Sequence, residues 1–541
     1  METLLIGLDA ACEPVLDPLI EEGRLPNIER LLDDGVSGPL ESQIPPWTPS
    51  AWPSLYTGVN PGKHGVFSFL KFDGYEWDVI NATDVRERTL WEMLDEHGKS
   101  SVVVNAPVTS PPPAIDGAII PGYTAPEDPD CHPAGLLDEV RDAVGDYRVY
   151  ARDHEKTNQG YIDSYRELIR MRGEAFRYLA RTRDPDFGFV QFQQTDTVFH
   201  ERPDEDEVIA AVYEAVDDEI GRILEECDPD TVLIASDHGM GEYEGYEFRV
   251  NDFLAERGYV QTAKGGEGMP TWSTIADDSL KNGKSGKADA DGETSGPGLA
   301  ERALTLGASV GLTSQRIHRT LKRVGLADVV AAHAPSGLVR AASERVDFAN
   351  SKVYMRDRIE CGLRINLEGR EPSGVVSEEE YEPLRQELIE ELRALTAPDG
   401  TPVFSEVGPR EDYFDGPYAE DAVDIVTVPR DFDVMLSAQL HGEPFSTTLM
   451  EPWNHKLDGI VSLTGVGVDT GASVEGAHLY DVASTVLSTF GIAYPETMDG
   501  RPLAPVVDVG SKRYDEYEPR AAQATDDAAV EERLADLGYL E

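Results

Sequence analysis

The chain has 541 residues, 40% of them apolar, which suffices for one large hydrophobic core or a few smaller ones. Acids outnumber bases 102 to 47, for a formal net charge of −55. A field of that sign repels nucleic-acid duplexes and anionic membranes, and it suits a cytoplasm of high ionic strength, where screening acts within ~3 Å at ~1 M salt.

The chain opens on Met1-Glu2-Thr3 and a short apolar run, Leu4–Leu8, that ends in Asp9. This reads as a strand rather than a secretory signal. No run approaches the ~18 apolar residues a membrane span needs, so a cytoplasmic protein without a transmembrane segment is expected. Cys12, Cys131, Cys227 and Cys361 lie far apart with no Cys-x-x-Cys pair, which argues against thiolate zinc and against a disulfide framework. Further strand candidates are Ser101–Val104, Phe187–Phe192 and Val232–Ala235, alternating with helical stretches such as Ile162–Arg181 and Glu207–Cys227. The alternation predicts an α/β fold: a mostly parallel central sheet with helices on both faces.

Residues 263–297 are rich in Gly, Ser, Asp and Lys and read as a loop. A helical segment over 298–332 follows, then strands around a turn in Tyr354–Asn366 and a helix over Ser377–Leu395 with Ser377 as N-cap. Core-like patterning returns at Ile425–Val428 and Gly459–Leu463. Asp481–Phe490 reads as a helix ended by Gly491, and Ala528–Leu537 as an amphipathic helix in an acidic tail. The expected organisation is a discontinuous α/β core (1–260 and 421–510), a large α+β insert (261–420) and a tail (511–541).

Four places put metal-capable side chains beside strand ends, where open α/β sheets bind ligands. Asp9 follows Leu4–Leu8. Asp196-x-x-x-His200 follows Phe187–Phe192, and residues four apart share one helical face. Asp237-His238-Gly239 follows Val232–Ala235; both side chains can serve one centre only where the strand ends, and Gly239 is read as that bend. His455 lies just ahead of Gly459–Leu463. Each is weak alone, since a lone Asp caps helices and a lone His decorates surfaces; the order on one sheet carries the inference.

The nucleophile candidate lies in Pro45-Pro-Trp-Thr48-Pro-Ser-Ala-Trp-Pro-Ser-Leu-Tyr-Thr57-Gly58. Thr48 reads as N-cap, Pro49 as the first helical residue and Gly58 as terminator, the pattern of an ordinary capped helix or of an anion site. A threonine hydroxyl becomes a nucleophile only with a metal or base beside it. Ser50 is a second hydroxyl nearby, less favoured by its spacing to Thr57-Gly58.

The segment Thr48 to Gly58, continued by Asn60-Pro-Gly-Lys-His64-Gly65, resembles the nucleophile segment of the nucleotide pyrophosphatase/phosphodiesterase branch of the alkaline phosphatase superfamily. It is closest to a group described as predicted phosphohydrolases or phosphomutases. Similarity continues through Asp196–His200, Ile234–Met240, Arg364–Val375, His455–Gly465 and Pro495–Leu503. The resemblance implies two divalent ions, Zn2+ with Mn2+ as the alternative. Asp196, His200 and His455 would hold one; Asp9, Thr48, Asp237 and His238 would hold the other. It also implies hydrolysis of a small phosphorylated substrate, diester over monoester, through a phospho-threonine. His64 resembles a structural histidine of the family. The Asn that usually follows the His-Gly pair is replaced by Phe69, with Ser68 as one substitute.

Arg316, His318, Arg319, Lys322 and Arg323 form a basic island, readable as a helix face paired with local acids or as a patch for an anionic substrate or lipid headgroup (316–323). Arg364 is either a bidentate phosphate ligand or an exposed strand residue. The rivals to hydrolysis are transfer to an alcohol on the same site and a catalytically silent binding protein. A sulfatase is disfavoured because no Cys-x-Pro-x-Arg motif occurs. If the acidic surface is a salt adaptation, Tm should rise by several degrees between ~0.1 and ~2 M KCl; a flat or falling Tm overturns that reading.

Overall fold

The computed structural model describes residues 1–151, 157–264, 344–449 and 451–521. The expected helices over 298–332 and 528–537, the basic island and nearly all of the 263–297 loop lie outside the described residues; Ala263 and Lys264 belong to the strand Thr262–Lys264.

A seven-stranded sheet forms the centre, in the order Val36–Glu41, Asp458–Gly465, Thr231–Ala235, Thr3–Leu8, Phe187–Phe192, Ser101–Ala106, Gly117–Pro121. The last five are mutually parallel, and Asp458–Gly465 runs antiparallel to both of its neighbours. Alternation along each strand builds two cores. Leu4, Ile6, Leu8, Val102 and Val104 face one layer, where the helices Asn158–Arg183 and Asp206–Cys227 pack. Leu5 and Val103 face the other, against the helices Thr48–Thr57, Leu90–Glu96 and Asp481–Thr489. Among the described residues, no helix is long and apolar enough to cross a membrane.

A second body carries a four-stranded sheet, ordered Val353–Tyr354, Gly362–Ile365, Ile425–Pro429, Phe404–Pro409. The helix Glu378–Arg393 packs on it, with Ser377 and Glu380 forming a capping box. Ile425–Pro429 therefore departs from the expected organisation. Its apolar run is buried on this sheet and not on the central one, because it pairs with Gly362–Leu363 on one side and Phe404–Pro409 on the other.

Asp424, just ahead of that strand, anchors the second body. It is fully buried and accepts both arms of the Arg370 guanidinium at 2.7 Å, Arg410 Nη1 at 3.0 Å and the Tyr381 hydroxyl at 2.7 Å. Burial alone would raise its pKa; Arg370 and Arg364 overcome that and hold the carboxyl at about 2. The folded value lies below the ordinary aspartate range, so this contribution is complete above about pH 4 and is lost as pH falls through about 2. Asp424→Asn should cost ~3–5 kcal/mol by stranding buried guanidinium charge and should flatten the acid limb of stability between about pH 4 and 2. Chemical denaturation across that range checks both; a cost below ~1 kcal/mol would remove Asp424 from this role.

Candidate metal centre

Asp9 follows the central strand Thr3–Leu8, and its parallel neighbours deliver the other carboxylates: Phe187–Phe192 leads to Asp196, and Thr231–Ala235 to Asp237. His455 arrives by register. The strand Trp453–Lys456 pairs antiparallel with Gly239–Glu242, setting His455 opposite Met240. The rings of His238 and His455 then stack at 3.7 Å and 15°. A Cβ at Gly239 would collide with the Asp458 carbonyl, so close packing requires glycine there; its backbone φ is not positive, and the expected bend at the strand end lies just before it, at Asp237 and His238.

Two trios result, Asp196–His200–His455 and Asp9–Asp237–His238, each with its donor atoms within 4.8 Å of one another. Asp196 Oδ1 lies 3.2 Å from His200 Nε2 and 3.5 Å from His455 Nε2. His238 Nε2 lies 3.6 Å from Asp9 Oδ1 and 3.3 Å from Asp237 Oδ2. Thr48 Oγ1 sits 3.5 Å from both Asp9 Oδ1 and His238 Nε2. The structure thus brings together Asp9, Thr48, Asp196, His200, Asp237, His238 and His455.

Thr48 differs in one respect. It is the first residue of its helix, not the cap; Trp47 occupies the N-cap with no side-chain bond. The Thr48 hydroxyl is therefore not spent on its own helix. Ser50 is spent: it donates to the Val66 carbonyl at 2.8 Å and accepts from Gln43. His64 belongs to the same network. Its Nδ1 accepts from the Val66 amide, its Nε2 meets Ser54 Oγ at 2.8 Å, and burial pushes its pKa down to about 3, keeping it neutral.

Burial, then the charges of Asp237 and Asp196, hold Asp9 well above the ordinary carboxylate range. Burial and Asp196 do the same to Asp237. Asp196 goes the other way: burial would raise it, but His200 and His455 outweigh that and pull it well down. Asp237 Oδ2 accepts no hydrogen bond among the described residues. His238 Nδ1 faces the Gly239 carbonyl at 3.0 Å and His455 Nδ1 the Pro46 carbonyl at 2.9 Å. A carbonyl only accepts, so each Nδ1 carries the proton and each Nε2 offers a lone pair to its trio. Burial lowers both pKa values, which favours that neutral form. Crowded carboxylates, an orphaned oxygen and aimed imidazole nitrogens fit a pair of divalent cations bound by O and N donors.

Two supports were not anticipated. Trp52 Nε1 and Gln191 Nε2 each donate to Asp9 Oδ2 at 2.8 Å. Both left a trace in the sequence: Trp52 lies one helical turn after Thr48, and Gln191 is the polar residue within an otherwise apolar strand. Arg364 is neither a phosphate ligand nor exposed. It is buried, donating to Glu371 at 2.8 Å and to the carbonyls of Glu420 and Ala422. Phe69 packs against Tyr123 in an apolar cluster, and Ser68 donates to Asp357.

A family model described as type I phosphodiesterase / nucleotide pyrophosphatase matches residues 3–295. No curated protein matches the sequence. Among solved structures, the chain is similar to phosphonoacetate hydrolase from Sinorhizobium meliloti 1021 in complex with phosphonoformate (14% identity, 89% of this chain and 94% of that one, TM-score 0.49). It is similar also to alkaline phosphatase PafA (12%, 93% and 98%, TM-score 0.48) and to murine ectonucleotide pyrophosphatase / phosphodiesterase 5 (11%, 91% and 96%, TM-score 0.46).

Trp52→Phe removes one of the donors that fix Asp9. It should weaken divalent-ion affinity of the Asp9 trio by ~10–100-fold, measured by chelator competition. Unchanged affinity would show that the indole does not position Asp9.

Proposed function

The chain belongs to the type I phosphodiesterase / nucleotide pyrophosphatase family, a family of phosphoester hydrolases, and from that premise we propose two-metal-dependent hydrolysis of phosphate esters with Thr48 as nucleophile, phosphodiesters preferred over monoesters. The observation that carries this reading is the position of the Thr48 hydroxyl, 3.5 Å from Asp9 and from His238 at the edge of the Asp9–Asp237–His238 trio.

Asp196, His200 and His455 would hold one ion, and Asp9, Asp237, His238 and Thr48 the other, Zn2+ or Mn2+. When bound, the pair would lower the pKa of the Thr48 hydroxyl and neutralise charge on the leaving oxygen. Thr48 Oγ1 bonds to phosphorus while the ester P–O bond breaks, and the leaving oxygen takes up a proton. Water then attacks the phospho-threonine, the P–Oγ1 bond breaks, Thr48 regains its proton and the phosphoryl product leaves. The helix Thr48–Thr57 contributes through its N-terminus, where the positive end of the helix dipole favours an anionic phosphoryl group. Trp52 and Gln191 fix Asp9, and the Pro46 and Gly239 carbonyls fix the imidazoles.

Thr48→Ala should lower turnover of an aryl phosphodiester by more than ~10³-fold while metal content stays near two equivalents. Ser50→Ala should leave turnover within a few-fold. Undiminished turnover in the Thr48 variant removes Thr48 from its role, and wild-type protein that binds no transition metal favours a silent scaffold instead. An added acceptor alcohol that captures the phosphoryl group would turn the assignment to transfer.

A further inference from the structure

Asn105 stands at an irregularity in the strand Ser101–Ala106, where the pairing with Gly117–Pro121 shifts register between Val104 and Ala106. Its φ of 64° lies in the left-handed region, which Asn tolerates better than most side chains. Such an irregularity re-aims a side chain, and here Asn105 Nδ2 donates to the Gln191 backbone carbonyl at 3.1 Å and to Gln191 Oε1 at 2.6 Å. A backbone carbonyl only accepts, so the Asn105 atom facing it is the NH2 group. The Gln191 atom meeting that group is then the oxygen, which leaves Gln191 Nε2 for Asp9 Oδ2 at 2.8 Å and for Gln193 Oε1 at 2.9 Å. One backbone carbonyl thus fixes the facing of three amides in turn: Asn105, Gln191 and Gln193. Reversed, Gln191 would set an oxygen against the Asp9 carboxylate.

Three polar atoms have no hydrogen-bond partner among the described residues: Asn105 Oδ1, Gln193 Nε2 and Arg172 Nε. The three residues are at most 3% exposed, and all line one small cavity with room for about one water molecule. Arg172 brings no unmet charge to it. The Glu127 carboxylate acts on the guanidinium, whose other arms donate to Gln194 Oε1 and to the Val149 carbonyl. What remains unmet is two donors and one acceptor. A water accepts two hydrogen bonds and donates one or two, so a single molecule satisfies all three atoms.

We propose that Asn105 and Gln193, joined to Arg172 through one buried water, are positioning residues for the metal centre: they hold Gln191 with its N–H toward Asp9. This rests on the two-metal reading and assigns the network that orients one of its carboxylates. Gln191 and Trp52 both donate to Asp9 Oδ2. The other oxygen, Oδ1, is the one that faces His238 at 3.6 Å and Thr48 at 3.5 Å. The amide chain therefore selects which oxygen of Asp9 is offered to a cation, as outer partners of a metal ligand do. The Asp196–His200–His455 trio takes no part in this chain, so its affinity is the internal control.

The test titrates the full chain with Zn2+ against a competing chelator, with Asp237→Ala identifying which binding step belongs to the Asp9 trio. Asn105→Gly suits the left-handed backbone and removes the donor to Gln191. Asn105→Asp keeps the size, exchanges the donor for an acceptor and adds a charge that by itself would tighten cation binding. Both should weaken the Asp9-trio step by ~10-fold or more and leave the Asp196-trio step within ~3-fold. An Asp9-trio step that weakens in neither variant overturns the proposal. Equal loss at both trios does so too, since that is what general loosening of the fold produces. If neither variant folds, Gln193→Leu decides by the same split, because it takes an acceptor from Gln191 and a donor from the water. Neutron diffraction from a deuterium-exchanged wild-type crystal should show the Gln191 amide deuterons toward Asp9 and Gln193. It should also show a water within about 3.2 Å of Asn105 Oδ1, Gln193 Nε2 and Arg172 Nε. A reversed Gln191, or no water there, overturns the proposal. If wild type binds no divalent ion, the two-metal reading fails, and the amide chain is still decided by the neutron structure.

Discussion

Everything at the centre follows from one electrostatic constraint: three aspartates and three histidines packed within two adjoining trios, all buried but His200, which is partly so. Ionised carboxylates at this distance in a dry pocket repel one another strongly and lose their hydration. Burial and mutual charge accordingly push Asp9 and Asp237 upward, while the histidines draw Asp196 down. No amount of local repacking removes that penalty, whereas cations do. The centre is thus a place where the fold holds an unfavourable charge distribution in readiness for a counter-charge.

What holds it is the sheet. Each of the three aspartates follows one of three adjacent parallel strands, which are apolar throughout except for Gln191, Thr3 and Thr231. Hydrophobic burial on both faces of those strands fixes where the carboxylates emerge, so the cost of clustering them is carried by packing many residues away. The antiparallel pair Gly239–Glu242 and Trp453–Lys456 then closes the far side and brings an imidazole across. The chain between these two segments builds the second body, where Arg370 and Asp424 supply their own buried anchor.

Much of this was legible because the determinants are local. Phe187–Phe192 has the length and apolar run of a buried parallel strand, and its observed bounds are the expected ones. Asp196 and His200 share a helical face by spacing alone. His455 is different. It lies beyond residues 3–295, matched by the family model, and its place depends on a strand register that links residues some two hundred apart; a motif can nominate it but periodicity cannot. The same holds for Ile425–Pro429, whose apolar run is compatible with either sheet until its partners are known. Arg364 shows the reverse failure: a cation in a strand pattern reads as exposed or ligand-binding, and only tertiary carbonyls and Glu371 reveal it as structural.

The net charge of the surface opposes the approach of a phosphorylated substrate such as the one proposed. At low ionic strength the net charge of −55 opposes approach over a Debye length of about 10 Å or more, a range that covers most of the path from bulk solvent. At ~1 M salt that range contracts to about 3 Å, while contacts inside a buried pocket are screened far less. High salt therefore lowers that long-range barrier while leaving short contacts inside the buried centre largely unscreened.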